Sequence, residues 1–120
     1  MITLNKRLML VDDEPDITFS FAIGLQDNGF KVYTFNDPVA ALSNFKPGSY
    51  DLLILDIKMP QMTGIDLYKE IRKIDNKVKI CFLTAFDFSY KDLQEYSKWI
   101  IRKPIANEDL VKEVNKIMNC

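Results

Sequence analysis

Six polar side chains in this sequence sit where apolar runs stop. Asp12 and Asp13 follow Leu8-Met9-Leu10-Val11, Asp51 and Asp56 bracket Leu52-Leu53-Ile54-Leu55, Thr84 follows Leu83, and Lys103 precedes Pro104. Carboxylates gathered into one cleft repel each other unless cations intervene. Oxygen donors with no histidine or cysteine beside them suit a hard ion, Mg²⁺ rather than zinc. A lysine adds compensating charge and a contact for phosphate. Each residue also has a plain structural role open to it. Asp12 or Asp13 can cap a helix opening at Pro15, acids at strand ends often close turns, and a lysine before proline is usually a solvated loop residue. Their joint occurrence at four separate run ends favours a shared site.

The runs and what lies between them define the elements that must position these groups. Arg7 to Val11 reads as a buried strand. Pro15 to Asn28 reads as a helix with Ile17, Phe21 and Leu25 at i, i+4 and i+8, stopped by Asn28-Gly29. Lys31 to Phe35 is a short strand. Asp37-Pro38 then places an N-cap before proline at the first helical position, with Val39 to Phe45 as a short helix and Pro47-Gly48 as a turn. Asp51 to Asp56 is the clearest buried strand, without polar alternation, as in parallel sheets covered on both faces. Thr63-Gly64-Ile65-Asp66 resembles a capping box opening a helix that carries Leu67, Ile71 and Ile74.

Val78 to Leu83 is a fourth strand, and Ser89 to Tyr96 a weaker helix with Leu93 and Tyr96 inward. Trp99 to Arg102 is a fifth strand. Asn107 to Met118 is the last helix, with Leu110, Val114, Ile117 and Met118 on one stripe. Five β-α units predict an α/β fold, a doubly wound (βα)5 parallel sheet with right-handed crossovers. In such sheets ligands bind outside the carboxyl ends of the strands. Asp12, Asp13, Asp56, Thr84 and Lys103 all fall on that edge, where four of the five strands end in a polar group suited to metal or phosphate.

Composition bounds the rest. At 120 residues the chain fits one domain, residues 1–120, that buries about two-thirds of the surface its unfolded form exposes. Sixteen Lys and Arg nearly cancel seventeen Asp and Glu, so no global field favours nucleic acid. No apolar run approaches a membrane span, and Met1 to Arg7 lacks the apolar core of a secretory signal, which predicts a cytoplasmic protein. The absence of histidine excludes His-based acid–base catalysis, Ser-His and Cys-His nucleophiles and most zinc sites. Two cysteines make no disulfide framework; Cys81 reads as core and Cys120 as an exposed thiol.

Leu10-Val11-Asp12-Asp13-Glu14-Pro15, Asp51 through Pro60 with Gly64, Leu83-Thr84-Ala85 and Lys103-Pro104 together resemble the receiver domain of two-component response regulators, across essentially the whole chain. The resemblance implies a CheY-like, flavodoxin-like strand order 2-1-3-4-5. It implies that Asp56 accepts a phosphoryl group from a phosphohistidine on a partner histidine kinase or phosphotransfer protein. Asp13 would be the main carboxylate ligand of Mg²⁺, with Asp12 acting largely through bound water, Asp56 contributing and the Lys58 backbone carbonyl completing the set. Thr84 would hydrogen-bond the attached phosphoryl group. Lys103 would pair with Asp56 or the phosphate, next to a cis bond to Pro104. The domain would hydrolyse its own aspartyl phosphate, slowly if Lys58 and Phe86 flank the path of water. The downstream protein target is not named by the sequence.

Two features depart from the family. Ile100 stands where an aromatic usually lies three residues before the lysine, and Trp99, one residue earlier, points to the other face by strand alternation. These two and Phe86 are the candidate switch residues. The segment between Thr84 and Lys103 predicts a shortened or skewed fourth helix, and its Phe86, Phe88 and Tyr90 read either as filler or as a partner or homodimer surface. The main functional expectation is a stand-alone phosphoryl-accepting switch acting through the fourth helix, fifth strand and fifth helix. A second is an interaction or dimerisation module on the same fold that works without phosphorylation. A phosphatase is disfavoured because no second acid lies two residues after Asp56. A nucleotide or flavin binder is disfavoured because none of the four glycines forms a phosphate-cradling loop.

Overall fold

The contiguous apolar runs become strands buried on both faces. In the computed structural model, which describes residues 5–85 and 90–120, strands and helices alternate. They are β1 (Arg7–Val11), α1 (Pro15–Asp27), β2 (Lys31–Phe35), α2 (Pro38–Asn44), β3 (Leu52–Asp56), α3 (Gly64–Ile74), β4 (Lys79–Thr84), α4 (Tyr90–Leu93), β5 (Ile100–Arg102) and α5 (Asn107–Met118). The sheet is parallel, in order β2-β1-β3-β4-β5, which is the expected doubly wound (βα)5 arrangement.

Strand alternation divides the core in two. Leu8, Leu10, Leu52, Ile54, Cys81, Leu83 and Ile101 face α1 and α5. Met9, Val11, Leu53, Leu55, Ile80 and Phe82 face α2, α3 and α4. Cys81 is fully buried, and burial pushes its thiol up, as expected of an inert core cysteine. Local signals set the helix starts. The Asp37 carboxylate accepts from the Val39 N–H ahead of α2, and Thr63 and Asp66 close a reciprocal capping box on α3.

Three details differ from the sequence-based expectation. α4 is one short turn, Tyr90–Leu93, less than the helix from Ser89 to Tyr96 but in line with the shortened fourth helix that the segment between Thr84 and Lys103 predicts; Ser89 lies outside the described residues. Leu93 is buried as expected, and Tyr96 packs edge-on against Tyr68 of α3 rather than continuing the helix. Ile74, the last residue of α3, is exposed rather than on the inward stripe with Leu67 and Ile71.

The start of α3 is pressed onto the end of β3. The Gly64 N–H donates to the Ile57 carbonyl at 2.9 Å, and a Cβ at position 64 would run into the backbone oxygen of Asp56. Gly64→Ala is therefore expected to destabilise the fold by about 1–3 kcal/mol, the usual range for overpacking against a backbone that cannot yield. Urea denaturation reads this directly, and an unchanged midpoint would contradict the close approach.

Candidate functional site

The strand register builds the site. Val11 pairs with Leu55, so the next residues, Asp12 and Asp56, are neighbours at the carboxyl edge. Asp56 pairs with Leu83 and Thr84 with Arg102, and the Lys103 N–H donates to the Thr84 carbonyl at 2.8 Å. Residues 91 positions apart thereby meet: Lys103 Nζ lies 3.0 Å from Asp12 Oδ2 and 3.1 Å from Asp56 Oδ1. Asp12, Asp13 and Asp56 each offer a carboxylate oxygen within 4.8 Å of the others. Asp12, Asp56 and Thr84 are buried, and Asp13 is half-buried at the mouth.

Asp12 serves twice locally, since its Oδ1 also accepts the Glu14 N–H at 3.0 Å. It thus shapes the turn into α1 without being the N-cap, which is Glu14. Thr84 donates its hydroxyl to the Ala85 carbonyl at 3.1 Å. Lys58 follows in the loop after β3 with its side chain exposed. The Lys103–Pro104 peptide bond is cis.

Asn36, just past β2, was not singled out in the sequence. Its side-chain amide donates to the Asp12 carbonyl at 2.8 Å and to Thr18 Oγ1 at 2.9 Å, tying β2 and α1 to the acidic turn. The second strand therefore does end in a polar group that serves the site. The signal was present in Asn36-Asp37-Pro38, but its meaning depends on β2 lying beside β1.

Of the switch residues, Ile100 packs on the α2/α3/α4 face of the core, as Tyr68 and Tyr96 do. Trp99 packs on the α1/α5 face, with Lys98 Nζ 4.9 Å and Lys79 Nζ 5.6 Å from its ring centre. Alternation thus separates the two as expected. Phe86 and Phe88 lie outside the described residues.

The electrostatics follow from crowding. Burial, then the charges of Asp12 and Asp13, push the Asp56 carboxyl up to about 6, against the opposing charge and hydrogen bond of Lys103. Burial alone would lower the Lys103 ammonium. Its hydrogen bond to Asp12 and the charges of Asp56 and Asp12 outweigh that and hold it above its ordinary value. An all-oxygen donor set of three carboxylates, with two negative charges left when all are ionised and Lys103 is counted, fits a hard divalent ion.

Comparison with known proteins gives the chain its family. The family model described as the response regulator receiver domain matches residues 8–115. The chain belongs to the response regulator receiver domain family. This receiver domain is 32% identical over 117 residues to the chemotaxis protein CheY of Bacillus subtilis, covering 94% of this chain and 98% of that one. It is 31% identical over 117 residues to the response regulator receiver protein CpdR of Brucella abortus, covering 94% and 97%. Some curated relatives are longer: the receiver domain spans about half (49%) of the transcriptional regulatory protein PrrA of Mycobacterium leprae, at 32% identity over 93% of this chain. Among solved structures, the response regulator TrrA of Thermotoga maritima, crystallised in complex with Mg²⁺ and BeF, superposes with a TM-score of 0.82 at 36% identity, covering 93% of this chain and 98% of that one.

The raised Asp56 pKa has a definite sign in stability. The folded state holds that proton more tightly than the unfolded chain, whose ordinary aspartate value is 3.8. In the metal-free protein this carboxyl weakens the fold as pH rises from about 4 through about 6, and the loss is complete above that. Asp56→Asn is accordingly expected to raise the melting temperature of the metal-free receiver domain at pH 7.5 and to change it little near pH 4. Equal effects at both pH values would contradict this.

Proposed function

We propose that this receiver domain, residues 1–120 acting as a single unit, is a cytoplasmic phosphoryl-accepting switch in a two-component phosphorelay. The observation that carries it is the Lys103 ammonium held between Asp12 and Asp56 inside the three-carboxylate cluster. That arrangement suits a carboxylate that must meet an incoming phosphoryl group bearing further negative charge.

Asp13, Asp12, Asp56 and the Lys58 backbone carbonyl are the groups that would hold Mg²⁺. When bound, the ion supplies neutralisation of charge on the phosphoryl oxygens. At neutral pH the Asp56 carboxylate is ionised and little hydrated, which leaves an oxygen lone pair free to attack. The new bond joins an Asp56 oxygen to phosphorus as the phosphorus–nitrogen bond of the partner's phosphohistidine breaks, and the electron pair leaves with the imidazole. The phosphohistidine lies outside residues 1–120, which contain no histidine. Lys103 exchanges its contact with the Asp56 oxygen for one with the phosphoryl group. Thr84, buried beside Asp56 on the neighbouring strand, donates a hydrogen bond to it. Beside Lys103 a cavity of about 550 Å³ lined by Ile17, Phe21, Ala85, Pro104 and Ile105 offers an apolar seat for the histidine-bearing partner.

Phosphorylation adds about 1.5 to 2 negative charges at the carboxyl edge of the sheet. The resulting shift would pass to the surface of α4, β5 and α5 and so to a downstream protein target. Ile100 favours a second reading, an interaction module whose binding ignores phosphorylation, because an aliphatic side chain has no ring to reorient. The two differ in whether partner binding changes in Asp56→Asn.

Incubation with Mg²⁺ and acetyl phosphate is expected to add one phosphoryl group at Asp56, read by intact mass. Asp56→Asn should abolish labelling, and Lys103→Ala should slow it on the order of a hundredfold, as for loss of a preorganised charge at a reacting oxygen. Equal labelling of Asp56→Asn, or labelling that survives chelation of the metal, would contradict the proposal.

A further inference from the structure

Large apolar side chains meet water unevenly on this molecule. Among the described residues five are exposed: Ile74 (46%) at the end of α3, and four on β2, the strand at one edge of the sheet, or on the helices before and after it, namely Phe19 (70%) and Ile23 (44%) on α1, Tyr33 (42%) on β2 and Val39 (44%) on α2. Phe19 and Ile23 line a groove of about 570 Å³ with Val32 and Thr34 on one face of the sheet. Tyr33 and Val39 stand on the other face, toward α2. Single exposed hydrophobic residues are ordinary, but a cluster around an unpaired strand edge marks an interaction surface.

The backbone of β2 divides cleanly. The Lys31 N–H donates to Lys6 and the Phe35 carbonyl accepts from Asp12, so Lys31, Tyr33 and Phe35 turn their main-chain groups toward β1. Val32 and Thr34 therefore turn theirs outward, to the open edge. We infer that this edge seats a second copy of the chain, the two β2 strands pairing antiparallel about a two-fold axis at Tyr33.

Three features of the edge fit itself rather than a generic partner. A two-fold at Tyr33 sets Val32 opposite Thr34 of the other copy, so both outward main-chain pairs exchange hydrogen bonds, and the two Tyr33 side chains meet at the close, non-bonded position. Phe19 and Ile23 are one helical turn apart on α1 and run alongside Val32 and Thr34. The same axis brings Phe19 of each copy to Ile23 of the other, as an isologous contact requires. Charges agree as well. Lys31, at the start of the strand, comes diagonal to the other copy's Asp37, just past its end, twice in the dimer. Ile17 and Phe21 lie on the opposite flank of α1, beside Lys103, so association leaves the acceptor pocket open.

Sedimentation velocity over a concentration series tests this, without Mg²⁺ or phosphodonor, so the outcome is independent of whether Asp56 accepts phosphate. A reversible dimer is expected. Phe19→Glu and Thr34→Pro should each raise its dissociation constant about tenfold or more, the scale of an interface hot spot. Thr34→Pro spares the fold because its lost N–H faces out of the sheet, which far-UV circular dichroism checks, and Phe19→Glu is an independent surface change. A wild-type chain that remains monomeric at high micromolar concentration overturns the inference. A dimer that survives both substitutions overturns it too.

Discussion

The rest of this structure depends on holding three carboxylates together with one ammonium. Asp12 and Asp56 are buried neighbours on adjacent strands, Asp13 lies at their mouth, and Lys103 reaches both buried acids from the far side of the sheet. No fold would assemble such a group for stability, since burial and mutual repulsion both oppose ionisation of Asp56. The arrangement persists because backbone ladders over-determine it. The β1–β3 and β3–β4 registers fix the two acids, the Asn36 amide anchors the Asp12 carbonyl, and Gly64 lets α3 close against the Asp56 backbone. Excess negative charge left after Lys103 is counted is what makes the pocket receptive to a divalent cation.

Much of this was legible in the sequence where one interaction dominates. Leu52 to Leu55 has no polar alternation, as is typical of a strand buried on both faces, and it is one. Asp37-Pro38 and Thr63 to Asp66 begin helices by chemistry local to a few residues, and both do. Asp12, Asp13, Asp56, Thr84 and Lys103 were recognisable because a parallel sheet sends every strand's carboxyl end to one edge.

What escaped depends on tertiary neighbours. Asn36 matters only because β2 lies beside β1. The helix expected from Ser89 to Tyr96 ends at Leu93, and Tyr96 packs against Tyr68 of α3, a neighbour that only the fold supplies. Phe19 and Ile23 follow helical spacing as well as Ile17 and Phe21 do, and only the path of β2 tells which stripe of α1 is covered. That helix therefore carries two apolar faces, one beside Lys103 and one at the sheet edge. The proposed phosphoryl transfer and the inferred self-association would use different ones.

One electrostatic pocket couples Asp56 to its acidic neighbours and to Lys103, and with them it would hold a divalent cation. Carbon-13 NMR of the Asp56 side-chain carboxyl, titrated with pH in the absence and presence of Mg²⁺, tests it most directly. A midpoint near 6 in the metal-free protein, falling when Mg²⁺ is added, is expected. A midpoint in the ordinary aspartate range, unmoved by Mg²⁺, would contradict it.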